Sequence, residues 1–271
     1  LDGIGKILIS PGDYVAVEAP TYLGALQAFN PYEPRYVEIE TDEDGLIPES
    51  LEAVLSKQRV KFVYLVPTFQ NPTGRTLPLA RRKQVADILK RHETLLVEDD
   101  PYSDLRYSGE PVPPIKSLAP DNVAYSTTLS KTFAPGLRIG VCVAPEFIQR
   151  WLVTGRQGVD LHTNTLAQAL AAEYLTGGYL ERQLPKIIEL YAPRQQAMLD
   201  ALERHLPEDF TWSRPQGGMF VWIEGPKGFD AVELQNRVIE RGVAFVPLQS
   251  DESIDAILTS TLRRGGLVHS R

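Results

Sequence analysis

A lysine flanked by hydroxyl side chains and followed by an arginine is the strongest chemical signal in the sequence. Lys131 comes after Thr128 and Ser130 and before Arg138. A lysine amine can bond to a carbonyl carbon, whereas hydroxyls and a guanidinium suit a phosphate dianion. Taken alone, one of 28 basic side chains is more often a solvated surface charge. Together these neighbours predict a site for a cofactor with a carbonyl group and a phosphate.

Three other segments offer groups that suit a flat aromatic ring containing nitrogen. Asn71 opens an Asn-Pro-Thr-Gly turn and could aim its amide at an oxygen acceptor, although an ordinary turn is the alternative. Asp99 could pair with a protonated ring nitrogen, and the phenol of Tyr102 could reach a ring hydroxyl. Tyr22 could lie against the ring, although a core or surface position is the commoner fate of a tyrosine.

Two further acidic residues leave the choice of carboxylate open. Glu98 and Asp100 flank Asp99 at the end of an apolar run, and an acidic run at a strand end is more often solvated or capping. Asp99 is favoured mainly because Tyr102 follows three residues later.

Composition restricts the class of protein. The 271 residues, 43% of them hydrophobic, are enough for one large domain and a smaller one. The net charge of -7 argues against nucleic-acid and anionic membrane surfaces as partners. A single cysteine, Cys142, lies in an apolar run and is expected to be a buried structural thiol, which favours a reducing compartment. With no membrane span or secretory leader in the sequence, we expect a cytoplasmic location, and we predict no metal site.

Apolar runs alternate with helix-patterned segments in the first half of the chain. This alternation predicts an α/β fold, with a mostly parallel sheet flanked by helices. Ligands of such sheets gather beyond the carboxyl ends of the strands, where residues 67–74, 99–102 and 128–131 begin. The strand candidates are Tyr14 to Val17, Arg35 to Ile39, Lys61 to Val66, Thr94 to Glu98, Val123 to Thr127 and Arg138 to Ala144, and the helix candidates are Pro48 to Lys57 and Pro78 to Arg91.

The second half of the chain is predicted to be helical and then mixed. We expect a partial large domain over residues 1–180, and a bridging helix with a small carboxyl-terminal α+β domain over 181–271. The helix candidates are Leu166 to Tyr174, Tyr179 to His205 and Ala231 to Arg241, and the strand candidates are Phe210 to Trp212, Met219 to Ile223 and Val243 to Val246.

Five separated motifs give the chain a family resemblance over nearly its full length. It resembles the fold-type-I pyridoxal phosphate aminotransferases of class I/II, most closely the 2-aminoadipate, kynurenine and MocR-like branch. The motifs are Ala19-Pro20-Thr21-Tyr22, Asn71-Pro72-Thr73-Gly74, Asp99-Asp100-Pro101-Tyr102, the run from Ser130 to Gly140, and the run from Arg214 to Trp222.

The resemblance implies a role for each candidate residue around pyridoxal 5'-phosphate. Lys131 would be the Schiff-base lysine and the proton shuttle, and Asp99 would hold the pyridine nitrogen. Catalysis would thus rest on Lys131, Asp99 and Tyr102. The ring hydroxyl would contact Asn71 and Tyr102, the phosphate would be bound by Thr128, Ser130 and Arg138, the ring would stack on Tyr22, and the substrate pocket would have Gly217 and Gly218 in its small-domain wall.

The chain departs from the family pattern at both ends. It starts at Leu1 rather than at Met, and it has neither the Gly-Ser-rich phosphate loop nor the segment that precedes that loop in the family. We therefore expect a truncated member. After Phe245 to Pro247 the sequence diverges, although Arg263 resembles locally the arginine that binds the substrate carboxylate. Asn71 would also lie near that carboxylate.

The resemblance implies ping-pong transfer of an amino group from a 2-amino acid to a 2-oxo acid such as 2-oxoglutarate. We expect aminoadipate, aromatic or leucine-like donors ahead of aspartate, because Val159 to Asn164 resembles the aminoadipate and kynurenine branch. A homodimer is also implied. A related pyridoxal phosphate lyase, the effector-sensing domain of a MocR-type transcription regulator, and an inactive remnant stay open as alternatives.

Overall fold

A six-stranded sheet is the centre of the computed structural model, which describes residues 1–247. The sheet has the order β2-β1-β5-β6-β7-β8, and every pair is parallel except β7 with β8. A two-stranded ribbon of β3 and β4 lies outside it. The predicted mostly parallel α/β sheet is confirmed. The strands are β1 (Tyr14–Glu18), β2 (Arg35–Ile39), β3 (Thr41–Asp42), β4 (Gly45–Leu46), β5 (Phe62–Leu65), β6 (Leu96–Asp99), β7 (Val123–Thr128) and β8 (Gly140–Val143).

Both faces of the sheet's centre are covered, as the alternation of side chains along β5 shows. Val63 and Leu65 belong to the core formed with α3 (Pro48–Lys57) and α4 (Leu79–Arg91). Phe62 and Tyr64 point to the other face, where both rings pack edge-on against Phe29 at the end of α2 (Leu23–Phe29). Burial on both faces explains why β5 is a continuous apolar run.

The remaining helices of the first 205 residues pack against one another. The contacts of α1 (Asp2–Leu8) are with α2 and with α5 (Glu146–Gln157), and α6 (Thr165–Thr176) packs against α7 (Tyr179–His205). The Asn164 side chain caps α6 by accepting a hydrogen bond from the N–H of Ala167 at 3.0 Å. None of the described helices combines the length and the apolar character needed to cross a membrane.

The chain divides into two compact units. The first contains Leu1–His205 and Ser213–Trp222, and the second contains Leu206–Trp212 with the described residues from Ile223 onward. In the second unit, β9 (Thr211–Trp212) pairs antiparallel with β10 (Ile223–Glu224), and α8 (Ala231–Ile239) follows. The division predicted at residue 180 stays a prediction.

Two predicted strands in this region are wrong. Of Met219 to Ile223, Ile223 alone is in a strand, because residues 213–222 instead pack with the first unit. Val243 to Val246 form no strand in the described part of the chain. A strand needs a hydrogen-bonding neighbour, and apolar composition does not provide one.

The outer strand β8 also contradicts a prediction. Cys142 is exposed rather than buried, as are all the other residues of β8. The apolar run around Cys142 lies at one edge of the six-stranded sheet and is paired on one side, with β7. Apolar composition therefore misled the prediction of a buried thiol.

Candidate functional site

Three loops carry the predicted site residues to one edge of the sheet. Asn71 follows β5, Asp99 and Tyr102 lie at and after the end of β6, and Lys131 follows β7. These three strands are adjacent and parallel, so their carboxyl ends meet at the same edge. The sheet topology therefore brings these side chains to one place.

Asp99 is oriented by two hydroxyl groups from the neighbouring strands. Its Oδ2 accepts a hydrogen bond from the Tyr64 hydroxyl at 2.9 Å, and its Oδ1 accepts one from the Ser126 hydroxyl at 2.9 Å. Burial raises the pKa of Asp99, while the two hydrogen bonds oppose that rise. Each carboxylate oxygen keeps a lone pair, so Asp99 can still accept a hydrogen bond from a ligand N–H.

The neighbouring carboxylates have other partners. Glu98 points to the opposite face of β6, where its two oxygens accept the N–H groups of Ile115 and Lys116, each at 2.8 Å. Asp100 accepts from the N–H of Ser103 at 3.1 Å and from the Tyr125 hydroxyl at 3.0 Å. Of the three acidic residues, Asp99 is the one that shares a face with Tyr64.

Tyr102 connects the Asn71 loop with Lys131. The Nζ of Lys131 lies 5.9 Å from the centre of its ring. Burial raises the pKa of the Tyr102 phenol to about 12, although the nearby Asn71 side chain acts to lower it. The phenol is therefore protonated at neutral pH and can donate a hydrogen bond.

Tyr22 is influenced by charges at both ends of the predicted site. Burial raises the pKa of its phenol, the charge of Asp99 raises it further, and the charge of Arg138 lowers it. Arg138 is exposed and has a φ of 54°, in the left-handed region that few non-glycine residues adopt. Such backbone strain is frequent at functional sites and agrees with a binding role for this guanidinium.

The hydroxyl groups before Lys131 hold the turn in which the lysine lies. Thr128 donates a hydrogen bond to the carbonyl of Ile139 at 2.8 Å, and its Oγ1 accepts one from the N–H of Ser130 at 3.2 Å. The hydroxyl oxygens of Thr128 and Ser130 lie 2.9 Å apart. Since the proton of Thr128 is directed at Ile139, the hydroxyl of Ser130 is the one that can turn away from Thr128 and donate to a bound anion.

Helix α6 fixes the other side of the Lys131 turn. The Tyr174 hydroxyl donates to the carbonyl of Thr132 at 2.8 Å, and the ring of Tyr174 stacks on Phe133 with the centroids 4.0 Å apart. Both flanks of Lys131 are therefore anchored, while the lysine itself is exposed.

A close backbone contact supports the segment with Gly217 and Gly218. The N–H of Gly218 donates to the carbonyl of Leu105 at 2.8 Å, and a Cβ at Gly217 would overlap both that carbonyl and the ring of Phe69. The φ of Gly218 is 74°, so glycine is favoured there too. These two glycines lie in the first unit, and their place in the wall of a substrate pocket stays a prediction.

Sequence reasoning missed the residues that orient Asp99. Tyr64 and Ser126 looked like ordinary strand residues, and their role depends on the pairing of Asp99 with Ser126 across β6 and β7. The alternation of faces along β5 was the available signal for Tyr64. Arg263, the second substrate-binding candidate, lies outside the described residues.

The groups present suit pyridoxal phosphate. The site offers a carboxylate for the ring nitrogen, a phenol and an amide for the ring hydroxyl, an amine for the carbonyl carbon, and hydroxyls with a guanidinium for the phosphate. Next to Tyr22, the hydroxyl of Thr21 is buried and has no hydrogen-bond partner among residues 1–247. That hydroxyl is available to a bound group.

Known proteins resemble the chain over almost all of its length. The family model described as aminotransferase class I and II matches residues 2–263. An aromatic-amino-acid aminotransferase 1 of Thermococcus litoralis is 48% identical over 91% of the chain, and a 2-aminoadipate transaminase of Thermus thermophilus is 42% identical over 91%. A solved structure of an alpha-aminoadipate aminotransferase of Thermus thermophilus, complexed with N-(5'-phosphopyridoxyl)-L-leucine, has a TM-score of 0.87 and 40% identity over 91% of the chain.

The similarity covers a smaller share of these relatives than of the chain. The alignments span 61% and 63% of the two curated relatives and 64% of the protein in the solved structure. The chain therefore spans about three fifths of the length of the curated relatives it matches.

Proposed function

We propose, since the chain belongs to the class I and II aminotransferase family, that it transfers an amino group between a 2-amino acid and a 2-oxo acid with pyridoxal 5'-phosphate as cofactor. One observation carries this proposal. Lys131, Asp99 and the neighbouring side chains of Asn71 and Tyr102 lie at or beyond the ends of three adjacent strands. An amine, a carboxylate and a hydroxyl donor that meet in this way suit the functional groups of this cofactor.

Each residue then has a task that its surroundings support. The cofactor, when bound, supplies an electron sink for the bonds at the substrate Cα. Asp99 would hold a proton on the ring nitrogen, and Tyr64 and Ser126 keep its carboxylate in place. Lys131 would hold the cofactor at its carbonyl carbon, and its Nζ, once free, would accept the proton from the substrate Cα and return it.

The other candidates bind and orient. Asn71 and the protonated Tyr102 fix the ring hydroxyl oxygen, and Tyr22 packs against the ring. For the phosphate we assign the hydroxyls of Thr128 and Ser130 together with the Arg138 guanidinium. We assign the substrate carboxylate to Asn71 and Arg263.

The names of the relatives support a substrate class. The similar proteins are named for aromatic amino acids and for 2-aminoadipate, and one is complexed with a phosphopyridoxyl-leucine. We propose aminoadipate, aromatic and leucine-like amino donors, with 2-oxoglutarate as an acceptor, a homodimer as the assembly and the cytoplasm as the location. The same relatives favour amino transfer over the regulatory alternative, while a related lyase reaction would use the same cofactor contacts.

A visible absorption spectrum with added pyridoxal phosphate tests the proposal. We expect a band that the Lys131→Ala variant lacks and that Lys83→Ala, a change of an exposed lysine on α4, retains. Adding an aromatic amino acid or aminoadipate should remove the band and release the matching 2-oxo acid. A band that is equally strong in Lys131→Ala would refute the assignment of the lysine, and a Lys131-dependent band without release of oxo acid would refute amino transfer.

A further inference from the structure

A buried carboxylate outside the assigned site joins two of its segments. Glu18, the last residue of β1, is 4% exposed. Its Oε2 accepts a hydrogen bond from the N–H of Val66 at 3.1 Å. Burial raises the pKa of Glu18 to about 8, whereas the N–H of Val66 and the nearby amide of Gln70 act to lower it. Burying a carboxyl group is costly, so its partners must be well placed.

The side-chain amide of Gln70 makes three hydrogen bonds, which reach two different segments. Its Oε1 accepts from the N–H of Thr73 at 2.8 Å and from the Thr73 hydroxyl at 2.7 Å, while its Nε2 donates to the carbonyl of Pro20 at 2.8 Å. A backbone N–H can only donate and a carbonyl can only accept, so the amide oxygen must face Thr73 and the amide nitrogen must face Pro20. The same amide lowers the pKa of Glu18, as a nearby donor does.

This network ties together two stretches that are far apart in the sequence. Pro20 is in the same short motif as Tyr22, and Thr73 is in the same turn as Asn71. The turn itself closes on Gln70, whose backbone carbonyl accepts the N–H of Gly74 at 2.6 Å. A movement of either segment would break hydrogen bonds to the same buried amide.

We propose that Glu18 and Gln70 are positioning residues, which hold Tyr22 and Asn71 in fixed positions as one coupled unit. The inference rests on the proposed function insofar as it concerns Tyr22 and Asn71 as cofactor contacts. The coupling of the two segments belongs to the chain itself and can be measured without a cofactor.

Exchanging the two side chains provides a sharp test. At about pH 9, where the Glu18 carboxyl is ionised, Glu18→Gln places an amide donor near the donating end of Gln70, and Gln70→Glu brings two carboxylates together. In the double variant the amide at position 18 can donate to the carboxylate at position 70, which still accepts both bonds from Thr73. The carbonyl of Pro20 then loses its donor, so recovery should be large but incomplete.

Amide hydrogen exchange of the chain without cofactor gives the first readout. Each single variant should accelerate exchange in both segments, residues 19–23 and 71–75, by roughly tenfold, the order expected for one lost buried hydrogen bond. The double variant should return most of the protection, and Gln84→Glu, a change of an exposed residue on α4, should have no effect. Acceleration confined to the segment that carries the substitution would overturn the inference.

Thr73→Val provides a second test if the variants at Glu18 and Gln70 do not fold. It removes the hydroxyl bond to Gln70 at nearly constant size, and it should accelerate exchange around Tyr22 as well as around Asn71. An unchanged Tyr22 segment would contradict coupling.

Titration of the same variants with pyridoxal phosphate separates the two proposals. We expect each single variant to bind the cofactor at least about tenfold more weakly than the parent chain, and the double variant to recover. If the parent chain shows no Lys131-dependent band, the proposed function fails, while the exchange data still decide on the coupling. If the band forms but each substitution accelerates amide hydrogen exchange only in its own segment, the positioning role alone is refuted.

Discussion

At the scale of single residues, neighbouring carboxylates differ because a strand turns them to opposite faces. Glu98 binds two backbone N–H groups, whereas Asp99, on the other face, binds the hydroxyls of Tyr64 and Ser126. The face of the strand on which an acidic side chain lies therefore says more about its role than its residue type does. This difference makes Asp99 the carboxylate that can serve a ligand.

Asp99→Asn tests this assignment. The amide cannot stabilise a proton on a ring nitrogen through its charge, so we expect kcat/KM for amino transfer to fall by roughly 100-fold or more. The melting temperature should change little or rise, because the substitution removes a buried charge. Steady-state kinetics and thermal unfolding measure both effects, with Asp104→Asn at an exposed position as the control. Activity within a few-fold of the parent chain would contradict the role of Asp99.

At the scale of elements, the bounds of a helix or strand were predicted correctly where its own residues carry the sequence pattern. The bounds of β2, α3 and α7 agree with the sequence pattern, which for the two helices is the spacing of apolar residues. Helices α2 and α5 were missed, and capping does not explain the difference, because the predicted helix α3 also lacks a side-chain hydrogen bond at its amino-terminal cap. Lys131 and Asp99 could be recognised from residue types, whereas Tyr64, Ser126 and Glu18 acquire their roles through sheet register and burial, which a single sequence does not reveal.

One buried arginine of α4 holds the loop that carries Asn71. Arg82 is 1% exposed and donates to the carbonyls of Leu77 and Pro67, each at 2.8 Å, to the carbonyl of Pro113 at 3.1 Å and to the hydroxyl of Thr68 at 2.8 Å. Leu77 and Pro67 are at the two ends of that loop. The planar guanidinium therefore fixes the base of the loop.

Removing this guanidinium should destabilise the protein strongly. Arg82→Met leaves several buried acceptors without donors, and we expect a loss of about 3–5 kcal/mol in the free energy of unfolding. Urea unfolding measures the loss. Lys83→Ala, next to it on the exposed face of α4, should stay within about 0.5 kcal/mol. A loss below about 1 kcal/mol for Arg82→Met would show that water replaces the guanidinium.

At the scale of the whole molecule, buried acids give the fold an unusual dependence on pH. Burial raises the pKa of Glu18 to about 8 and that of Glu98 to about 7, from an ordinary value of 4.5. The pKa values of Asp13 and Asp42 are lowered, by a hydrogen bond from the backbone of Ser10 and one from the side chain of Arg81, respectively. Acids with a raised pKa reduce the stability of the fold as they lose their protons at higher pH, whereas acids with a lowered pKa reduce it as they gain protons at low pH.

The free energy of unfolding should therefore fall as the pH rises from about 5 to about 8. Over that range the unfolded chain has released the protons of Glu18 and Glu98, while the folded chain still binds them, and each group contributes a slope of at most about 1.4 kcal/mol per pH unit. Below about pH 4 stability should fall again, as Asp13 and Asp42 become protonated.

Urea unfolding at a series of pH values measures the slope. Glu98→Gln should flatten the decline between about pH 5 and about pH 7, whatever its effect on absolute stability, because it removes one of the two titrating groups. Glu110→Gln changes an exposed acid and should leave the slope as it is. Stability that rises with pH in this range would contradict the burial of both acids as neutral groups.

The exposed edge strand makes the protein well suited to optical labelling. Cys142 is the one cysteine of the chain, and the register of β8 places it directly opposite Ser126, the residue that donates to Asp99. Opposed residues of antiparallel strands point to the same face. Although Cys142 is exposed, partial desolvation by its surroundings raises the pKa of its thiol, so a thiol-reactive dye should couple fastest in alkaline buffer. A single fluorophore would then lie on the same face as Asp99 and could follow the arrival of a ligand in real time.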